Sequence, residues 1–155
     1  MKFSHIEGDK AKMVDISNKE EVSRRAKASG EIQLRPETIE AINNKKIIKG
    51  SVLETARIAS IMAIKNTSSV IPMCHQIPIT GIDVQFDLDH DNVKVTVDVR
   101  TIGKTGVEME ALHGVSVALL TIWDMVKSAE KDETGNYPFT AIKNIRVLEK
   151  IKEQK

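Results

Sequence analysis

A chain of 155 residues with 23 basic and 22 acidic side chains is close to neutral and of a length that suits one domain around one core. The balanced charge and an aromatic share of 3% argue against a nucleic-acid partner, which calls for a basic surface and rings that stack on bases. Met1 to His5 leads into a polar stretch without a secretion signal, no apolar run approaches the roughly 18 residues that cross a bilayer, and the single Cys74 allows no internal disulfide; the expectation is a cytoplasmic protein with no membrane partner.

In chain order, residues 1–12 read as a flexible polar arm, 13–150 as one domain and 151–155 as a frayed tail. From Arg25 to Leu34, Ala26, Ala28, Gly30, Ile32 and Leu34 fall on one side, the period of a strand. Pro36 suits a helix start, and a short helix follows over 37–44. A basic connector, 45–50, ends at Ser51. With Glu54 three residues on, Ser51 predicts a capping box and a helix to about Lys65. Residues 67–78 read as a loop stiffened by Pro72 and Pro78. Ile82, Val84, Phe86 and Leu88, then Val93, Val95, Val97 and Val99, alternate with polar residues about an Asp-His-Asp-Asn turn, which predicts a hairpin with one buried face. A glycine loop, 103–106, opens a helix over 108–131 that is apolar almost all round its middle. A polar loop and a strand over 142–149 close the chain. Strand, short helix, helix, strand, strand, helix, strand is an α+β layout close to the ferredoxin-like plan, with helices on one face of an antiparallel sheet. The all-round apolar helix suggests that a second copy covers its outer side.

The densest chemistry lies in Gly103-Lys104-Thr105-Gly106-Val107-Glu108-Met109-Glu110. Glycines let a backbone approach a ligand, and lysine and threonine suit phosphate oxygens. Carboxylates at a helix start also favour the helix dipole, so one glutamate is accounted for by capping alone. His75, in the stiff loop Ile71-Pro72-Met73-Cys74-His75, either faces a ligand or hydrogen-bonds to backbone. His5, His75, His90 and His113 show no metal-ligand spacing with Cys74, and Cys74 has no base that spacing would pair with it. Asp124 sits in an apolar stretch, with Lys127 three residues on. The pair is either structural or placed for proton transfer. Lys49, Arg57, Lys65, Arg100 and Lys104 suit phosphates. Each could also be a solvated surface charge.

Helix geometry constrains any joint role for these groups. Glu110 and Asp124 are fourteen residues apart, hence within about 40° around the axis but roughly 21 Å apart along it. One small substrate cannot reach both on one helix. Two such helices packed antiparallel about a two-fold axis would bring Glu110 of one chain towards Asp124 of the other, placing a joint site between subunits.

Met13-Val14-Asp15-Ile16-Ser17, Lys49-Gly50, Thr55-Ala56-Arg57-Ile58-Ala59, Ile71-Pro72-Met73-Cys74-His75, Thr105-Gly106-Val107-Glu108-Met109-Glu110-Ala111-Leu112 and Thr121-Ile122-Trp123-Asp124-Met125 occur in this order. Together they resemble the cyclic pyranopterin monophosphate synthases, the MoaC family of molybdenum cofactor biosynthesis. The resemblance covers about residues 13–131 and weakens towards the last strand. It implies a ferredoxin-like subunit in a hexamer, a trimer of dimers, with active sites at the dimer interface. It implies a lyase that rearranges 3′,8-cyclo-7,8-dihydro-GTP to cyclic pyranopterin monophosphate and releases pyrophosphate. By the same resemblance Asp124 is the catalytic aspartate and Lys127 its neighbouring lysine. Substrate contacts fall on Met73, Cys74, His75, Met109 and Glu110, and further functional positions on Lys49 and Glu108. Arg57, Lys65, Lys104 and Lys49 are then expected to clamp the triphosphate. No cofactor is required by the sequence, and Mg2+ carried by the triphosphate is compatible with it. The family's glycine- and lysine-rich end has no counterpart in Asp132 to Phe139, which leaves its phosphate contact to Lys143 or Arg146, or lost. The reading from another class is a non-catalytic nucleotide-binding regulatory module. It would keep the basic residues and the glycine loop without needing Asp124 and Lys127.

Overall fold

The computed structural model describes residues 6–7 and 10–153. Strands β1 (Ile6–Glu7) and β2 (Lys10–Ala11) pair as a two-residue ladder within the stretch read as an arm; residues 1–5 and 8–9 lie outside the description. The domain is built from β3 (Val22–Gln33), α1 (Pro36–Asn43), α2 (Val52–Lys65), α3 (Thr67–Val70), β4 (Ile79–Leu88), β5 (Asn92–Gly103), α4 (Glu108–Glu130) and β6 (Ala141–Glu153). The four long strands lie in the order β4-β5-β3-β6, every neighbouring pair antiparallel. The first and last strands of the domain are therefore neighbours, and β4 and β5 form the expected hairpin. This is the ferredoxin-like arrangement, with α2 and α4 on one face.

The reason is the alternation itself. Val93, Val95, Val97 and Val99 project from β5 and Ala26, Ala28 and Ile32 from β3 into one core, where they meet Val115, Ala118, Leu119 and Ile122 of α4. β-Branched residues suit a half-buried pleated surface, and each fully buried valine contributes about 2 kcal/mol. Gly30 lets α4 come close: a Cβ there would lie 2.8 Å from side-chain atoms of Val115 and Leu119. Gly114 does the same between α4 and α2, where a Cβ would lie 2.7 Å from Ile64. By length and composition α4 could cross a membrane, but half of it is buried against the sheet and α2, and it is a core helix.

Glu130, at the end of α4, is fully buried. Its carboxylate accepts hydrogen bonds from the Arg35 N–H and from the hydroxyls of Thr38 and Thr140. One acid thus ties the start of α1 and the approach to β6 to the far end of α4.

Several local expectations differ in detail. Ser51 stands at the N-cap of α2, but its side chain makes no capping bond, and Glu54 pairs with Arg57 at 3.4 Å instead of closing a capping box. Residues 67–70 of the expected loop form the one-turn α3. Strand β6 runs past 149, with Glu153 paired to Ser23 within the expected tail; residues 154–155 lie outside the description. Its alternation is broken by two register shifts against β3, one with Asn144 at φ 58°, so a strict two-residue period finds only part of it.

Candidate active site

The N-terminal end of α4 borders a cleft of about 350 Å³. Three segments meet there: residues 14–19, the 73–77 loop, and the glycine loop with the first turn of α4. Local bonds hold the first segment in place. Asp15 Oδ1 accepts from the N–H and the hydroxyl of Ser17, which lowers the Asp15 pKa. Lys104 Nζ then donates to Ser17 O at 2.8 Å. His75 Nε2 lies 2.7 Å from Val14 O. A carbonyl only accepts, so the proton sits on Nε2, and in neutral imidazole Nδ1 remains an acceptor. His75 therefore both faces a cleft and bonds to backbone, the two alternatives the sequence left open.

Met73, Cys74, His75, Glu108, Met109 and Glu110 all line this cleft. Glu110 is only 3% exposed, and burial raises its pKa, with the charge of Glu108 adding to the effect. Cys74 is likewise pushed up, first by burial and then by Glu110. Its thiol is therefore a poor nucleophile near neutrality. Glu108 folds back over Gly106, where a Cβ would collide with its carboxylate, and forms an ion pair with Lys150.

Lys150 is one lining residue that sequence reasoning missed. It reaches the cleft from β6 through the pairing Ala26↔Lys150, which lies beyond both register shifts of that strand. Lys143, one of the two replacements considered, instead donates to Gln33. Lys19, Val14 and Ile16 also line the cleft. The Met13 to Ser17 motif signalled Val14 and Ile16; nothing singled out Lys19.

The other end of α4 carries a second cluster. Asp124 lies 2.7 Å from Lys127 Nζ and 3.0 Å from Lys49 Nζ, and Lys49 also donates to the Asp124 carbonyl at 2.7 Å. These hydrogen bonds lower the Asp124 pKa, and Asp124 raises that of Lys127. The Asp124 side chain is 58% exposed. Trp123 and Tyr137 meet edge to face beside it, with ring centroids 5.5 Å apart.

Two expected phosphate ligands lie outside both groups. Arg57 donates to Val84 O, pairs with Glu54 and lies over the Phe86 ring at 5.2 Å, so it fastens α2 to β4. Lys65 ends α2 and is not among the residues lining the cleft. Among the described residues no three His, Cys, Asp or Glu side chains are grouped to hold a metal ion.

A ferredoxin-like subunit whose single long helix carries a half-buried carboxylate cleft at one end and an exposed lysine–aspartate cluster at the other has the makings of an acid–base enzyme. The MoaC family model matches residues 13–153, and the chain belongs to this family. It is 65% identical over 150 residues to a probable cyclic pyranopterin monophosphate synthase of Methanosarcina acetivorans, covering 97% of this chain and 95% of that protein. A protein of the same description from Pyrococcus furiosus is 57% identical over 155 residues, covering 100% and 99%. A Methanothermobacter thermautotrophicus relative, described as a probable cyclic pyranopterin monophosphate synthase accessory protein, is 59% identical over 150 residues, covering 97% and 94%.

Proposed function

We propose that this chain is a cyclic pyranopterin monophosphate synthase of molybdenum cofactor biosynthesis, a lyase acting on 3′,8-cyclo-7,8-dihydro-GTP. The observation that carries this reading is the convergence of Met73, Cys74, His75, Glu108, Met109 and Glu110 on one cleft, in a chain at 65% identity to a protein described as that synthase.

The reaction opens and recloses purine and sugar rings, steps that need protons given and taken. Glu110, with its raised pKa, can hold a proton closer to neutrality than an ordinary carboxylate. Asp124 and Lys127 act as the second acid–base pair. Both are charged in the free protein, and a phosphate that drew the lysines away would raise the pKa of Asp124 and turn it into a base. Ring closure at phosphorus follows: a sugar-derived hydroxyl attacks the phosphorus nearest the sugar, the bond to the β-phosphate breaks, and pyrophosphate leaves with the electron pair. The hydroxyl proton passes to a carboxylate. Lysines offset the charge that gathers on the leaving group. A magnesium ion would arrive with the triphosphate.

The two halves are about 21 Å apart along α4, so a complete site needs a second copy. Ile58 and Met62 of α2 and Leu120 of α4 are exposed on the helix layer, a surface suited to burial between chains. We assign the protein to a homo-oligomer, a trimer of dimers, with the site shared across a dimer.

The test is turnover of freshly made cyclised dihydro-GTP, followed by pyrophosphate release and mass spectrometry of the pterin, with Asp124→Asn alongside. Product from the wild type alone is expected. The name of the Methanothermobacter relative keeps a non-catalytic partner as the second reading, and tight substrate binding without product would favour it.

A further inference from the structure

The segment between α4 and β6, residues 131–140, is fixed at more points than a simple connection needs. Asp132 is its hub. Oδ1 accepts from the N–H and the hydroxyl of Thr134 and from the Asn136 N–H, and the Asp132 N–H donates to Asn136 O at 2.9 Å. Gly135, at φ 83°, makes the left-handed turn that closes this ring. At the far end the Thr140 hydroxyl donates to the buried Glu130. Holding each residue in one conformation costs entropy, so order of this kind at the surface points to something the loop presents.

What it presents is Tyr137. This is the only tyrosine of the chain, and its ring meets the only tryptophan, Trp123, edge to face with centroids 5.5 Å apart. Trp123 and Lys127 are four residues apart, hence neighbours on one face of α4, so Tyr137 stands over the face that carries Lys127. It is near enough to act on the charge of Lys127, whose pKa is raised first by Asp124 and then, less, by Tyr137. Packing on Trp123 accounts for the ring, and phenylalanine would serve that purpose as well. It does not account for the hydroxyl, which has no hydrogen-bond partner among the described residues. Lys127 carries three donors on a flexible stem and meets Asp124 Oδ1 with its ammonium.

We propose that Tyr137 is a positioning residue of the Asp124–Lys127 pair: its hydroxyl oxygen is the second acceptor for the Lys127 ammonium, to which the lysine passes when Asp124 takes up a proton. The catalytic part rests on the synthase reading, and the lysine contact does not. The charged groups in this cluster are Asp124 and Lys127 on α4 and Lys49 on the connector before α2. The hydrogen bond from Lys127 is the largest of the effects that lower the Asp124 pKa, ahead of the one from Lys49. Moving the ammonium to a neutral hydroxyl takes that bond off Asp124 and makes it a better base, while the positive charge stays in the site. The fixed loop keeps the hydroxyl in place from one turnover to the next.

The experiment compares the full-length wild type, Tyr137→Phe, Asp124→Ala and the double variant. Fluorescence of Trp123 verifies that phenylalanine keeps the ring contact. The rate of reductive methylation at each lysine is read by peptide mass spectrometry, and turnover of the cyclised substrate is measured on the same preparations. With Asp124 replaced by alanine, loss of the hydroxyl should speed methylation of Lys127 about threefold, the worth of one neutral hydrogen bond, and leave the exposed Lys46 unchanged. With Asp124 present, Tyr137→Phe should lower kcat about tenfold and leave KM within about twofold. Methylation of Lys127 indifferent to the hydroxyl, or a Tyr137→Phe enzyme that keeps its kcat, overturns the proposal. Methylation that answers to the hydroxyl in a protein that makes no product would instead overturn the synthase reading and leave the lysine contact standing.

Discussion

The two ends of α4 solve opposite electrostatic problems. At the N-terminal end Glu110 is withdrawn from water among Met73, Cys74 and Met109, and its charge is disfavoured. At the C-terminal end Asp124 stands in solvent between two ammonium groups, and its charge is favoured. One helix thus carries a carboxylate biased towards holding a proton and another biased towards losing it. Carboxylates pushed apart in this way can divide acid and base roles between them.

The largest effect should come from removing either carboxylate's chemistry. Asp124→Asn and Glu110→Gln are each expected to lower kcat by about 10²–10⁴-fold, the range of a lost general acid or base. Steady-state assays on the cyclised substrate check this, and near-normal rates from either variant would remove that residue from the mechanism. Next comes the latch that anchors the far end of α4. Glu130→Ala leaves the Arg35 N–H and two buried hydroxyls without their acceptor and should cost about 3 kcal/mol in urea unfolding. Gly114→Val crowds Ile64 and Ser60 between the two helices and should cost about 2 kcal/mol by the same measurement.

Smaller, but more telling about the comparison, is the pH response. A carboxyl whose pKa is raised by folding adds stability at low pH, which is lost as pH rises from its ordinary value of 4.5 through its folded one. Unfolding free energy of the wild type should therefore fall over that window relative to Glu110→Gln, which carries no titrating group there. Parallel curves for the two proteins would mean that Glu110 is not disfavoured as an anion. At the other end the sign reverses: the lowered Asp124 pKa gives stability above the usual carboxylate range that is lost as pH falls through the folded value. Because that pair is exposed, Asp124→Asn should leave Tm nearly unchanged while lowering turnover as above.

Much of this was legible in the residues. The valines of β5 and the small residues of β3 announce their faces, and six of the functional positions implied by the family resemblance line the cleft. What was not legible depends on register. Lys150 comes to stand opposite Ala26 because β6 carries extra residues against β3, and an unpaired strand does not reveal its bulges. Glu130 looks like a polar residue closing an amphipathic helix until the chain returns with Thr38 and Thr140 to bury it. Arg57 shares a sequence neighbourhood with residues of the family resemblance, yet its guanidinium is taken by Val84 and Phe86 from a strand some thirty residues away.

The most direct test of the shared site is complementation. Glu110→Gln and Asp124→Asn chains, each inactive alone, are dissociated, mixed in equal amounts and reassembled. If one subunit supplies Glu110 and its partner Asp124, random pairing rebuilds intact sites, and activity should return to about a quarter of the wild-type value. Mixed oligomers, verified by mass, that stay as inactive as their parents would contradict the shared site.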